Sequence, residues 1–137
     1  MLTSLQNPLV KDVRRLHQAK YRRQQGQLLL EGTHGIQEAL AVAWPLQVVC
    51  YTPAWQQRYP DLAIALQDRA QRVQLVSPEV LQTLATTVHP DGVIAVAAQQ
   101  SPLPAPAVTG VGLVLDGLQD PGNLGTIIRT AVAAGCD

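Results

Sequence analysis

Val111-Gly-Leu-Val-Leu115, Asp116-Gly-Leu-Gln-Asp-Pro-Gly-Asn123 and Leu124-Gly-Thr-Ile-Ile-Arg-Thr-Ala-Val-Ala-Ala134 follow one another without a break, and the fold turns on how they are read. The first run is short and apolar, of strand type. The second is dense in turn residues, and the third has helical periodicity. A strand that meets a helix through a loop rich in Gly and Asn is where open α/β sheets place their chemistry. On a helix starting near Leu124, the residues Leu124, Ile127, Ile128, Ala131 and Gly135 lie along one side, suited to packing on a sheet. Thr126, Arg129, Thr130 and Ala133 follow another side, so Arg129 points away from that seam, toward solvent, a ligand or a partner subunit. Asn123 is placed to cap the helix, a role compatible with lining a site. Asp120-Pro121-Gly122 also fits a tight turn.

Upstream of this stretch, Ser101-Pro-Leu-Pro-Ala-Pro-Ala107 is the clearest linker in the chain. Prolines at alternate positions favour a stiff, extended spacer. The expected organisation is a small domain over residues 1–100, a linker over 101–107 and one strand and one helix over 108–137. So short a tail cannot bury a core of its own. It is expected either to dock on the first domain or to be the start of a second one. The whole chain, 137 residues with 47% hydrophobic and 15% charged residues, has the composition of a globular protein. No basic segment followed by an apolar run opens it, and no apolar run reaches the length of a membrane span, so neither a signal peptide nor membrane insertion is expected. Cys50 and Cys136 belong to no Cys/His cluster and are expected as buried free thiols in a reducing compartment.

Between these bounds, short apolar runs alternate with helical segments. Asn7-Pro8 is a helix start, an Asn cap with Pro in the first turn. Leu9, Val13 and Leu16 form its apolar stripe, with Lys11, Arg14, Arg15, Gln18 and Arg22 on another face of one continuous helix. Leu28–Leu30 is a strand, and a helix carrying Ile36, Ala39, Leu40 and Ala43 follows with Thr33 as its cap. Leu46–Tyr51 is the next strand, and Pro53–Ala70 a helix interrupted or restarted near Pro60. Val73–Val76 is a third strand, Ser77-Pro78-Glu79 opens a helix through Leu84, His89–Gly92 is a turn, and Val93–Ala97 is a fourth strand. Alternation on this scale predicts a layered α/β domain.

The zero net charge conceals an asymmetry. Six of the ten Lys and Arg residues (Lys11, Arg14, Arg15, Lys20, Arg22 and Arg23) precede Gln27, with Asp12 the only acid among them. A basic N-terminal segment on an otherwise acidic chain points to a local polyanion contact, and Tyr21 beside Arg22 offers one stacking surface. The competing reading of the same cations is a solvated helix face.

The tail LVLDGLQDPGNLGTIIRTAVAAG resembles the first signature motif of the SpoU/TrmH-type RNA 2′-O-ribose methyltransferases of the SPOUT superfamily. Asp120, Pro121, Asn123, Gly125, Arg129, Ala131 and Gly135 occupy motif positions. The opening SLQNPLVKDVRRLHQAKYRRQQGQLLLEG resembles the start of the substrate-binding domain that precedes catalysis in many members. HPDGVIAVA resembles the strand closing that domain, with Asp91 where many relatives carry Gln. The resemblance implies an α/β domain with a mixed sheet flanked by helices, a fold shared with some kink-turn-binding ribosomal proteins, followed by the first strand and helix of a SPOUT trefoil-knot domain. It further implies methyl transfer from S-adenosylmethionine to a ribose 2′-hydroxyl of rRNA or tRNA, with Arg129 on the target nucleotide and Asn123 shaping the site. Structured RNA would be the partner of Lys11, Arg14, Arg15, Lys20, Arg22 and Arg23. A homodimer is implied for the whole protein, and the cytoplasm as its location.

The family's second and third motifs, which hold the cofactor, would lie beyond Asp137. No cofactor-binding residue is therefore assigned within the chain, and residues 1–137 alone are expected to be inactive and to bind S-adenosylmethionine weakly. The apolar side of the tail is expected to self-associate or to leave the C-terminus mobile. Glu31 is expected as a structural residue orienting a nearby arginine. His17, His34 and His89 lack metal-ligand spacing, so no metal site is assigned. Two other functions stay open: a non-catalytic RNA-binding module, and nucleotide binding of Rossmann type, against which Gly110, Gly112 and Gly117 lack the fingerprint spacing.

Overall fold

A computed structural model describes residues 1–100 and 110–136, which fall into two units, Met1–Gln100 and the stretch after it. The expected linker, residues 101–107, lies outside the described residues.

The first unit runs α1 (Pro8–Arg15), α2 (Ala19–Gln25), β1 (Gln27–Glu31), α3 (Thr33–Ala41), β2 (Leu46–Tyr51), α4 (Pro53–Arg58), α5 (Pro60–Arg69), β3 (Arg72–Leu75), α6 (Pro78–Leu84) and β4 (Val93–Ala98). The strands form one mixed sheet in the order β1-β4-β2-β3. β4 runs antiparallel to both β1 and β2, whereas β2 and β3 are parallel. Both faces of the sheet are covered. Val93, Ala95 and Ala97 of β4 join Val49 and Tyr51 of β2 in one core with Ile36, Trp55 and Leu66 from α3, α4 and α5. Ile94 and Val96 point the other way, into a second core with Val10 and Val13 of α1, Leu16, and Val80, Leu81 and Leu84 of α6. Period-two alternation sends successive side chains to opposite faces, so a strand buried on both sides is apolar throughout, as Val93–Ala97 is.

Local chemistry explains most helix boundaries. α1, α4, α5 and α6 each open on a proline, whose missing N–H is one of the donors a first turn leaves unpaired anyway. The side chains of Asn7, Thr52 and Ser77 accept amide hydrogens from Leu9, Trp55 and Val80 at 2.9, 3.2 and 3.2 Å. Pro60 divides the Pro53–Ala70 segment, ending α4 at Arg58.

Two expected helix boundaries fail in this unit. The basic segment is two helices, not one. Arg15 ends α1, and the amides of Leu16, His17 and Gln18 bond to carbonyls three residues back, tightening and closing the turn. No proline or glycine marks this break. It follows from tertiary contacts: Leu16 is buried in the second core, and His17 Nε2 donates to the Leu84 carbonyl at 2.8 Å. Thr33 is not the cap of α3 but its first residue. Gly32 holds the cap position with φ 88, and the missing side-chain acceptor comes from Asp91.

The second unit contains α7 (Pro121–Ala133). It opens three residues earlier than expected, because Asp120, not Asn123, is the cap. The Asp120 carboxylate accepts the amides of Gly122 and Asn123 at 2.6 and 3.2 Å. The expected strand Val111–Leu115 is not formed, and its residues are exposed. A strand is defined by a neighbour that pairs its backbone groups, and among the described residues this segment has none. No helix among the described residues is long and apolar enough to cross a membrane.

Candidate nucleic-acid interface

α1 buries Val10 and Val13 and turns Lys11, Arg14 and Arg15 outward. Lys11 and Arg14 stand three residues apart, neighbours on the helix surface. Arg15 pairs with Asp12 at 3.2 Å, the only ion pair among the described residues. Both side chains are more than half exposed, so the pair contributes little and leaves the charge within reach of solvent. On α2, Lys20 and Arg23 form a second exposed pair at the same spacing. Arg14 and Arg15 end α1, and Arg22 and Arg23 end α2, where the helix dipole favours positive charge.

Arg22 differs from the others. It is half-buried, and its Nη1 donates to the carbonyls of Leu16 and His17 at 2.7 and 2.9 Å. Those carbonyls are left unpaired by the end of α1, so Arg22 closes α1 from α2. Arg22→Gln is expected to cost about 1–2 kcal/mol, since a charged donor is removed from half-buried carbonyls. Thermal melting of the variant measures this; an unchanged Tm would mean that water replaces the guanidinium at no cost.

At the edge of the sheet where β1, β2 and β3 end, three long-range contacts lock the loops together. Glu31 accepts hydrogen bonds from both the amides and the hydroxyls of Thr86 and Thr87. Among the described residues it orients no arginine, contrary to expectation; it pins the turn ahead of β4. Asp91 accepts from the Thr33 amide at 2.7 Å, placing a carboxylate at the N-terminus of α3. Trp55 Nε1 donates to Thr33 Oγ1 at 2.8 Å. The Asp91 and Glu31 contacts span 58 and 55 residues, and no local pattern announces them.

Burial raises the Glu31 pKa, but the hydrogen bonds from Thr86 and Thr87 outweigh it and leave the carboxyl lowered from its ordinary 4.5. A lowered folded-state pKa contributes stability that is present above the unfolded value and lost as pH falls through the folded one. Glu31→Gln is therefore expected to be less stable than the native chain near neutral pH by about 1 kcal/mol, the ordinary worth of a solvent-screened cap. The difference should close in acid below pH 4.5. Paired melts across that range check it; a gap that does not narrow would contradict the assignment.

In the second unit, Arg129 is exposed and folds back along α7. Its Nη2 donates to Thr126 Oγ1 at 3.3 Å, and its Nη1 lies 3.3 Å from where a side chain on Gly125 would begin. Long helical side chains lean toward the N-terminus, so this places the guanidinium a turn nearer the exposed Asn123. Leu124, Ile128 and Val132 are exposed along the helix. Both cysteines are free, Cys50 buried and Cys136 only half-buried, against the expectation that both are buried. Burial pushes the Cys50 thiol up to about 12, so it stays protonated.

A mixed sheet covered on both faces, whose first helices carry the exposed cations, defines a class: an α/β domain with a basic outer face. The chain belongs to the MRM3-like substrate binding domain family, whose model matches residues 7–95. It is 52% identical over 140 residues to an uncharacterized tRNA/rRNA methyltransferase of Synechocystis sp., covering 99% of this chain and 50% of that protein. It is 34% identical to the 23S rRNA (guanosine(2553)-2′-O)-methyltransferase of Bacillus subtilis, covering 99% and 52%. Among solved structures it resembles the AdoMet-bound rRNA methyltransferase of Sinorhizobium meliloti, with TM-score 0.78, 36% identity, and coverage of 98% of this chain and 51% of that one. The chain thus spans about half the length of the relatives it matches.

Proposed function

We propose that this chain is the RNA-gripping part of a methyltransferase acting on rRNA or tRNA. The observation that carries the reading is the set of exposed cations on α1 and α2, mounted on a domain of a substrate-binding family. Lys11, Arg14, Lys20 and Arg23, with Arg15 beside them, would neutralise phosphates and position the RNA without reading its bases. Arg22 supports them by holding α1 and α2 together. Residues 1–100 would be the RNA-binding domain, joined through 101–107 to the start of a catalytic domain at 108–137.

The finer reading is that the whole protein, as a homodimer, methylates a ribose 2′-hydroxyl with S-adenosylmethionine, a reaction named for the Bacillus relative, with the cofactor named for the Sinorhizobium one. The cofactor does not fit the described residues of the second unit by themselves. Residues 110–124 are all exposed, and one helix supplies no enclosing wall, so no step is routed through it. What this chain would supply is Arg129, with Asn123 shaping the site. Arginine stays protonated at ordinary pH and cannot serve as a free base. Its planar fork would instead hold a phosphate bidentately and orient the ribose, while the phosphate or water takes the proton.

Two measurements test the reading. Titrating the chain into a labelled rRNA fragment at rising salt should give binding that weakens steeply; no binding even in dilute salt would sink it. In the whole protein, Arg129→Lys is expected to lower methyl transfer by about tenfold, roughly 1.4 kcal/mol, because an ammonium cannot make the fork. Undiminished turnover would remove Arg129 from the site. Methyl transfer by the whole protein also separates this reading from a non-catalytic RNA-binding module.

A further inference from the structure

On α7 the neighbours of Arg129 give its side chain a direction. Thr126, Arg129 and Thr130 share one side of the helix, and all three are exposed. The Thr126 hydroxyl donates to the Gly122 carbonyl at 3.0 Å, and the Thr130 hydroxyl to the Thr126 carbonyl at 2.9 Å. A hydroxyl carries a single proton, so with that proton given to the backbone Thr126 Oγ1 presents only lone pairs to its surroundings. Arg129 Nη2 donates to it at 3.3 Å. This bond is long and weak. A long side chain in water has many rotamers of nearly equal energy, however, and a small bias selects among them.

Gly125 keeps the path of that side chain open. It lies inside α7 and outside the set of positive-φ glycines, so the backbone does not call for glycine there. Glycine is the weakest helix former after proline, and its place in the helix costs stability. What it provides is room. A Cβ at this position would lie 3.3 Å from Arg129 Nη1, closer than ordinary van der Waals contact, and would push the guanidinium aside. Thr126 therefore holds one side of the guanidinium and Gly125 leaves space beneath the other, with the group drawn a turn toward Asn123. The bond to Thr126 spends a single guanidinium donor and leaves the rest for a phosphate.

We propose that Thr126 is a positioning residue for Arg129, aiming its guanidinium over the space left by Gly125; this rests on the role proposed above for Arg129 in methyl transfer. The test measures methyl transfer by the whole protein with RNA as the varied substrate. Thr126→Val keeps the branching of threonine but cannot accept a hydrogen bond. It is expected to lower kcat about threefold to fivefold, with KM for RNA changed less than about twofold, the scale of one weak hydrogen bond. Thr126→Ser keeps the acceptor and should stay within about twofold of the native kcat. Gly125→Ala should lower kcat by about threefold while Tm holds or rises, because alanine favours the helix. A residue that served stability alone would move both in the same direction. In an Arg129→Lys background the Thr126→Val loss should shrink below about twofold, since no guanidinium is left to aim. Native kcat in Thr126→Val beside an impaired Arg129→Lys would overturn the inference and leave the role of Arg129 standing. An equal Thr126→Val loss in both backgrounds would do the same. Undiminished turnover by Arg129→Lys itself would remove Arg129 from the site, and the inference with it.

Discussion

Changing Lys11, Arg14, Lys20 and Arg23 together to glutamine is expected to weaken the binding of structured RNA by about a hundredfold in dilute salt and to flatten its salt dependence. The magnitude follows from counterion release. Four phosphate contacts give a slope near −3.5, so the native chain itself should lose roughly a hundredfold between about 50 and 200 mM salt. A variant without those contacts starts where the native chain ends. The fold should be untouched, because all four side chains are exposed and none makes a side-chain hydrogen bond among the described residues. Circular dichroism and fluorescence titration together make the check. Native-like binding by a folded variant would mean that the cations are only a solvated face. Arg22 is left out of the set, since removing it would also loosen α1.

Gly92→Ala is expected to destabilise the first unit by about 2–4 kcal/mol, the sum of a strained positive φ and an overpacked contact. Gly92 has φ 108, and a Cβ there would lie 2.9 Å from Trp55 Cβ and 3.1 Å from Thr52 Oγ1. Neither neighbour yields easily. Thr52 caps α4, its amide bonds to the Gly92 carbonyl at 3.0 Å, and Trp55 is 2% exposed. The Tm should fall by roughly 10–25 °C for a domain of this size. Gly26→Ala is the control: its φ of 60 is also positive, but nothing lies within 4 Å, so only the backbone strain of about 1 kcal/mol applies. Equal losses at both positions would show that the contact with Trp55 relaxes freely.

The Gly92 contact also shows why parts of this fold are legible in the sequence and parts are not. Val93–Ala97 announces a strand buried on both faces because five apolar residues in a row satisfy either side of a sheet. Leu46–Tyr51 also matches its expected bounds, although Gln47 interrupts its apolar run. Pro8, Pro53, Pro60 and Pro78 fix helix starts through the covalent geometry of proline, which no context alters. Nothing comparable marks Gly92 as the residue Trp55 must pack over, or Asp91 as the acceptor for Thr33. Those partners are 37 and 58 residues away.

The same division runs through the candidate site. The concentration of positive charge before Gln27 is plain in the sequence, since charge adds up however the chain folds. Which cations face outward is not. Periodicity drew one helix carrying Lys11, Arg14, Arg15 and Arg22 on a common face. Burial of Leu16 and the bond from His17 to Leu84 broke it, turning Arg22 inward. In the tail, Pro121 and Asp120 determine the start of α7 locally, whereas Val111–Leu115 needs a neighbouring strand before its own pattern means anything. By itself the sequence determined the alternation of strands and helices, the proline-set helix starts and the basic segment, because these depend on neighbours within a turn or on a sum. Only the tertiary structure decided the end of α1, the inward turn of Arg22, the Asp91 and Glu31 contacts and the demand for glycine at position 92, because each depends on groups that folding brings together from far along the chain.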